Sequence, residues 1–213
     1  TVDGDLYAST LTIDNISAGD FGDYYCQAQN AAGPSQSSSA PLAEKKLIAH
    51  WTLDGDPNDS SGNAYNGTLI GEPVFSTTDA QLGQALQFDG TDDYVDLPDG
   101  FADFSTGFSC AVWAKPAAAA NWARFVAFGN GPAANNIFFA RIGTGTTLRL
   151  ETAGGSSLDA AGAIALDEWQ LFVATLDYSG QTTIYKNGLE IASATLGLPD
   201  NITRTNNYIG RSN

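Results

Sequence analysis

Residues 85–97 read Ala85-Leu86-Gln87-Phe88-Asp89-Gly90-Thr91-Asp92-Asp93-Tyr94-Val95-Asp96-Leu97. Two short runs with alternating apolar residues flank the turn pair Asp89-Gly90, the period of half-buried strands rather than of a helix. The pattern repeats outward in both directions. Upstream, Leu47 to Leu53 reads as an opening strand. Downstream come Phe108 to Trp113, Phe125 to Phe128, Asn136 to Ile142, Thr147 to Glu151, Gln170 to Leu176 and Thr182 to Lys186. Asn187-Gly188 is a strong two-residue hairpin signal, because both positions tolerate positive φ. No stretch carries a helical stripe, and Ala117 to Ala120 is too short to nucleate a helix. Many short strands without βαβ alternation predict an all-β antiparallel sandwich.

Bulk properties narrow the function. The 213 residues carry 24 acidic and 9 basic side chains, a net charge of −15. Such a chain repels nucleic acid and anionic membranes. No apolar run approaches the roughly 18 residues a membrane span needs, so no membrane insertion is expected. Two cysteines far apart, Cys26 and Cys110, make no disulfide framework.

The chain reads as two segments, residues 1–40 and 47–213, with a linker at 41–46. In the first, Tyr7 to Ile16 reads as a strand, followed by Asp20-Phe21-Gly22-Asp23-Tyr24-Tyr25-Cys26. A Tyr two residues before a Cys is the tyrosine-corner arrangement, in which the phenol ties a turn to the next strand. With Asn30-Ala31-Ala32-Gly33 after it, this segment resembles the last three strands of an I-set immunoglobulin domain. The earlier half of such a domain, with its partner Cys and core Trp, is not in the sequence.

The second segment carries an ordered set of motifs. Trp51-x-Leu53-Asp54, Asp59-Ser60-Ser61-Gly62-Asn63 and Gly67-Thr68-Leu69 come first. Gly83 to Gly90, Asp93-Tyr94-Val95, Phe108 to Trp113, Trp169, Tyr185-Lys186-Asn187-Gly188 and Ile209-Gly210 follow. Together they resemble the laminin-G-like (concanavalin A-like, pentraxin-like) jelly rolls of secreted bacterial proteins. The resemblance implies an extracellular or cell-surface jelly roll, with a last strand expected beyond Asn213; both ends read as truncations. It implies a non-catalytic carbohydrate-binding or adhesive module, with a polysaccharide or glycan ligand and other domains of the same parent chain as partners. A structural spacer beside a distant catalytic domain is the second reading, and a polysaccharide-cleaving enzyme the third. The matching pentraxin strand carries a Cys paired with a later strand. Here the later position is about Val173, so Cys110 is expected as a buried, free thiol. Trp51, Trp113 and Trp169 fall at positions that pack in the core.

Catalysis finds little support. The sole histidine, His50, would have to serve any Ser-His-Asp or Cys-His arrangement. Glycoside hydrolysis needs two carboxylates about 5–10 Å apart. The five glutamates do not form the Glu-x-Asp-x-x-Glu pattern of related hydrolases, and Asp93-x-x-Asp96 and Asp54-x-Asp56 border turns. Calcium is the sharper expectation. The loop Asp54 to Asn63 gathers carboxylates and amides, the oxygen donors that calcium takes. It is no EF-hand, since Asp59 stands where that loop needs Gly and Tyr65 where it needs Glu. The family resemblance favours Asp54, Asp59 and Asn63 as ligands; the alternative is an Asx-rich turn capped by its own side chains. The cluster Asp89, Asp92, Asp93, Asp96 and Asp99 reads as a solvated turn and strand face. For a sugar, the candidate platform is Trp122, in a loop between strands, with Asn121, Arg124, Asn136 and Arg141 around it and Asn135 and Arg149 nearby.

Overall fold

The computed structural model describes residues 10–212 apart from 43, 78, 79, 82, 118, 119, 132–134, 153 and 154. The chain divides into two compact units, one ending at Lys46 and one beginning at Leu47.

In the first unit a 3-10 turn at Ala18–Asp20 precedes β1 (Gly22–Tyr24), β2 (Gln27–Asn30), β3 (Gly33–Gln36) and β4 (Ala40–Leu42). The pairs are β1 with β4 and β2 with β3, both antiparallel. The Tyr24 hydroxyl donates to the Asp20 carbonyl at 2.6 Å, the tie that the Asp-x-Gly-x-Tyr spacing predicts. Residues 10–16 form no strand, and Leu11 and Ile16 stand exposed. A strand needs a partner for its backbone groups, and these residues pair in a ladder with none of the described residues. The rest of the strand expected at 7–16 lies outside the described residues.

In the second unit the strands run β5 (Thr68–Ile70), β6 (Val74–Ser76), β7 (Ala85–Gln87), β8 (Tyr94–Leu97), β9 (Phe108–Ala114), β10 (Arg124–Gly129), β11 (Ile137–Arg141), β12 (Leu148–Thr152), β13 (Ser156–Ala160), β14 (Gln170–Leu176), β15 (Gln181–Lys186), β16 (Leu189–Thr195) and β17 (Asn206–Ile209). One sheet has the order β13-β12-β11-β10-β17-β8-β5 and the other β16-β15-β14-β9, with β6 and β7 as a separate pair. All pairings are antiparallel, which makes the unit an antiparallel β-sandwich of the concanavalin A-like jelly-roll class. Leu47 to Leu53 makes no strand; its one ladder contact is a bridge from Trp51 to Asp59.

Alternation decides which side chains enter the core. In β14, Phe172, Ala174 and Leu176 point inward and Leu171, Val173 and Thr175 outward. In β12 Leu148, Leu150 and Thr152 are buried, with Arg149 and Glu151 facing out. Phe172 meets Phe125 of the opposite sheet at 5.4 Å, and Phe125 meets Phe139 at 6.1 Å. The hairpin at Asn187-Gly188 takes φ values of +50° and +83°, as a primed turn requires.

Cys110 is a free thiol packed against this core, and burial pushes its pKa up to about 12. Its cross-strand neighbour is Ala174, not Val173, which faces the other way opposite Ala111. Trp113 also departs from expectation. It shares a face with Ser109 and Ala111, opposite to Phe108, Cys110 and Val112, and is 45% exposed. A step of one residue along a strand moves a side chain to the other face. Trp51 does pack on the core, edge-on to Phe101, and donates Nε1–H to the Tyr65 carbonyl.

The two faces of β14 give a direct test. Phe172→Ala removes a fully buried ring and is expected to cost about 3–5 kcal/mol. Val173→Ala, one residue on, is expected to cost well under half as much. Urea denaturation followed by tryptophan fluorescence measures both; equal costs would contradict the register.

Candidate functional site

The outward face of the seven-stranded sheet carries a ladder of polar and aromatic side chains. Arg124 on β10 lies opposite Ala140 on β11, Ala140 opposite Arg149 on β12, and Arg149 opposite Asp159 on β13. A bulge between Arg124 and Val126 makes this possible. It lets Phe125 and Val126 both contribute to the core while Arg124 turns outward.

Trp122 caps the ladder. Its backbone sits at φ +55°, a conformation that bulky residues rarely adopt. The Trp122 amide donates to the Gly143 carbonyl at 3.1 Å, and the Arg124 Nη1 donates to the Trp122 carbonyl at 2.8 Å. The indole stands edge-on to Phe138, 6.2 Å between centroids. Two guanidiniums flank it, Arg124 at 5.2 Å and Arg149 at 5.8 Å from the ring centre. Arg124 also lies 4.4 Å over the Phe138 ring. Beneath them Ala127, Phe138 and Ala140 form a small buried cluster on this outer face. The indole remains 39% exposed. Each cation–aromatic contact of this kind contributes on the order of 0.5–1 kcal/mol at exposed sites. The result is a ring held in one place with open surface.

The rim around it is charged on both sides. Arg149 forms a bidentate pair with Asp159, at 2.6 Å and 2.9 Å, and contacts Glu151 at 3.4 Å. The Asp159 hydrogen bond holds the Arg149 pKa above its ordinary value. Burial lowers that of Arg124, against the pull of Glu151. Farther along the same face Tyr208 stands edge-on to Tyr94 at 5.3 Å, with Arg211 4.4 Å over the Tyr94 ring.

Of the expected ligand residues, the structure groups Trp122 with Arg124, adjoins exposed Asn121, and turns Arg141 away. Arg141 is 3% exposed, and its guanidinium donates to the carbonyls of Thr144 and Gly145. It closes its own hairpin, because its strand position points inward. Asn136 precedes β11, two residues or about 7 Å from the Phe138 that the indole meets, at ~3.4 Å per residue. Its Nδ2 donates to the Gly131 carbonyl. Arg149, Glu151 and Asp159 complete the platform instead. The alternation Leu148-Arg149-Leu150-Glu151 signals the outward direction of Arg149 and Glu151; only the tertiary structure brings Arg149 to Trp122 and ties Glu151 and Asp159 to Arg149.

The expected calcium loop is organised from within. Asp59 Oδ1 accepts the amides of His50 and Ser61, and Oδ2 accepts the Tyr65 amide and the Ser61 hydroxyl. These four donors occupy the four acceptor positions of a carboxylate. Desolvation opposes ionisation, but the His50, Ser61 and Tyr65 hydrogen bonds outweigh it and lower the Asp59 pKa to about 2. Asp54 Oδ1 accepts the Gln84 amide, and Asn63 Nδ2 donates to the carbonyls of Leu47 and Ile48. Asp59 is thereby left without a free oxygen for a calcium ion, which takes six to eight. Asp89, Asp92 and Asp93 bring carboxylate oxygens within 4.8 Å of one another. Asp89 holds the amides of Thr91 and Asp92, and Asp93 those of Glu72 and Asp89, so both staple a turn.

His50 is exposed, with its Nδ1 3.0 Å from the Ser60 hydroxyl. That hydroxyl donates to the His50 carbonyl.

Residues 89–213 match the family described as the concanavalin A-like lectin/glucanases superfamily, and the chain belongs to it. A comparison with curated protein sequences gives no match. Among solved structures the chain is similar to domain 4 of AbnA, a GH43 extracellular arabinanase from Geobacillus stearothermophilus, in complex with arabinotriose. The TM-score is 0.64 at 23% identity, over 79% of this chain and 84% of that one. It is also similar to the binding domain of Paraclostridial Mosquitocidal Protein 1 (TM-score 0.52, 14% identity, 72% of this chain and 46% of that one). A third is the botulinum neurotoxin serotype C1 binding domain (TM-score 0.52, 15% identity, 73% and 41%). The chain spans less than half of each toxin binding domain. At these identities the likeness shows a shared fold.

Two measurements check the loop. Thermal melts in calcium and in EDTA are expected to coincide; a rise of several degrees on adding calcium would restore the ion. For Asp59 the folded pKa lies below the unfolded one. Its contribution, about 1–2 kcal/mol after allowing for solvent screening, is present above pH 4 and lost as pH falls toward 2. The stability gap between the wild type and Asp59→Ala is expected to close over that window.

Proposed function

We propose that the second unit is a non-catalytic carbohydrate-binding module, with Trp122 as the platform and Arg124, Arg149, Glu151 and Asp159 around it. The observation that carries this reading is the fixed, exposed indole on an open sheet face. A flat indole offers the C–H face of a sugar ring a large apolar contact at little conformational cost. The rim supplies both N–H donors and carboxylate acceptors, the pair that hydroxyl groups need. Asn121 adjoins the platform and gives a further amide. Calcium has no part in this grip.

The membership of a superfamily of lectins and glucanases and the fold shared with a domain that holds arabinotriose support this ligand class. The setting that fits is a secreted or surface protein in which this unit works beside other domains. Among the described residues no helix is long and apolar enough to cross a membrane.

Glycan-array screening, with arabinotriose as the first probe in calorimetry, tests the reading. Binding is expected, and Trp122→Ala is expected to weaken it at least tenfold while lowering the melting temperature by only a few degrees. A protein indifferent to Trp122→Ala and silent on the array would be a spacer.

A further inference from the structure

The opposite sheet carries a second aromatic surface that the Trp122 platform does not use. Trp113 projects from the outer face of β9 beside Leu171 of β14. With Trp169, Asn187, Gly188 and Gln81 they line an open depression of about 400 Å³. Ligand clefts run about 300–1,000 Å³, so the space suits a small ligand or one or two sugar rings.

The lining has three properties. Among the described residues it holds no charged side chain, in a chain whose net charge is −15. It presents two indoles, one of them 45% exposed. Its polar groups are oriented. Asn187 sits in the left-handed region at φ +50°, where its Oδ1 accepts the Leu171 amide at 2.9 Å and its own amide donates to the Leu171 carbonyl at 2.8 Å. The oxygen is thereby engaged, and the amide group offers its N–H side. The Trp169 Nε1–H is buried with no partner among the described residues. At the turn, a Cβ on Gly188 would meet nothing within 4 Å, so the approach is open.

We propose that Trp113 and Trp169 form a second carbohydrate site, selective for neutral sugar rings. Among the described residues of this lining an anionic sugar finds no cation, and a cationic ligand no carboxylate. A neutral ring supplies apolar C–H groups for the indoles and hydroxyl oxygens for the Asn187 side-chain N–H. Because Trp113 and Trp122 project from the outer faces of two packed sheets, one module would hold two glycan chains at once and gain avidity on a polysaccharide surface. The inference shares with the proposed function only the class of ligand.

The test titrates the full chain and its variants with xylopentaose, cellopentaose, mannopentaose and trigalacturonate, read by tryptophan fluorescence and calorimetry. Trp122→Ala is expected to retain binding of at least one neutral oligosaccharide and to ignore trigalacturonate. Adding Trp113→Ala to that background is expected to weaken the retained binding at least tenfold, and Gln81→Ala, which removes a rim amide, several-fold. Loss of all binding in Trp122→Ala would overturn the second site and leave the proposed function standing. So would retained binding that Trp113→Ala does not alter. Binding lost in Trp113→Ala but unchanged in Trp122→Ala would uphold the second site and move the function to it. No binding by the wild type to any of the four would overturn the second site; arabinotriose and the array then decide the proposed function separately.

Discussion

The inward side chains of the two sheets meet around Phe172, Phe125 and Phe139, and their packing fixes everything on the outside. In a strand, successive side chains alternate between faces, so a residue that must enter the core commits its neighbours to solvent. Phe172 inward puts Leu171 and Val173 outward. Leu148 and Leu150 inward put Arg149 and Glu151 outward. Both aromatic surfaces are consequences of that constraint. Neither needs a special element beyond one bulge at Arg124 and a left-handed backbone at Trp122.

Rigidity distinguishes the Trp122 surface from an ordinary exposed aromatic. An unrestrained indole on a loop loses rotamer freedom when it binds, and that loss offsets part of the contact energy. Here Phe138, Arg124 and Arg149 confine the ring beforehand, and a backbone strained to positive φ is held by hydrogen bonds at both its amide and its carbonyl. Arg149 is itself confined by Asp159. A binding surface assembled this way spends less of its contact energy on ordering.

The Asp54 to Asn63 loop shows how one composition serves two chemistries. Asp and Asn satisfy cations and backbone amides with the same oxygens. Composition alone leaves the choice open; the positions of His50, Ser61 and Tyr65 amides around Asp59 decide it.

Period-two alternation, turn pairs and the absence of helical stripes were enough to read an antiparallel sandwich, because each depends on neighbours along the chain. Asn187-Gly188 was legible for that reason, and Trp122 as a loop aromatic likewise. The approximate limits of β7 to β12, β14 and β15 followed too, while the strands expected at 10–16 and 47–53 did not form. Pairing across strands was not legible. It joins Arg124, Arg149 and Asp159 from three strands, sets Ala174 rather than Val173 beside Cys110, buries Arg141 in its own hairpin, and turns Trp113 outward. These outcomes depend on register, and a shift of one residue reverses them all. The sequence by itself determined the scaffold through local alternation. Only the tertiary structure decided which outward residues became a surface, because residues far apart in the chain come together only when the sheets close around their shared core.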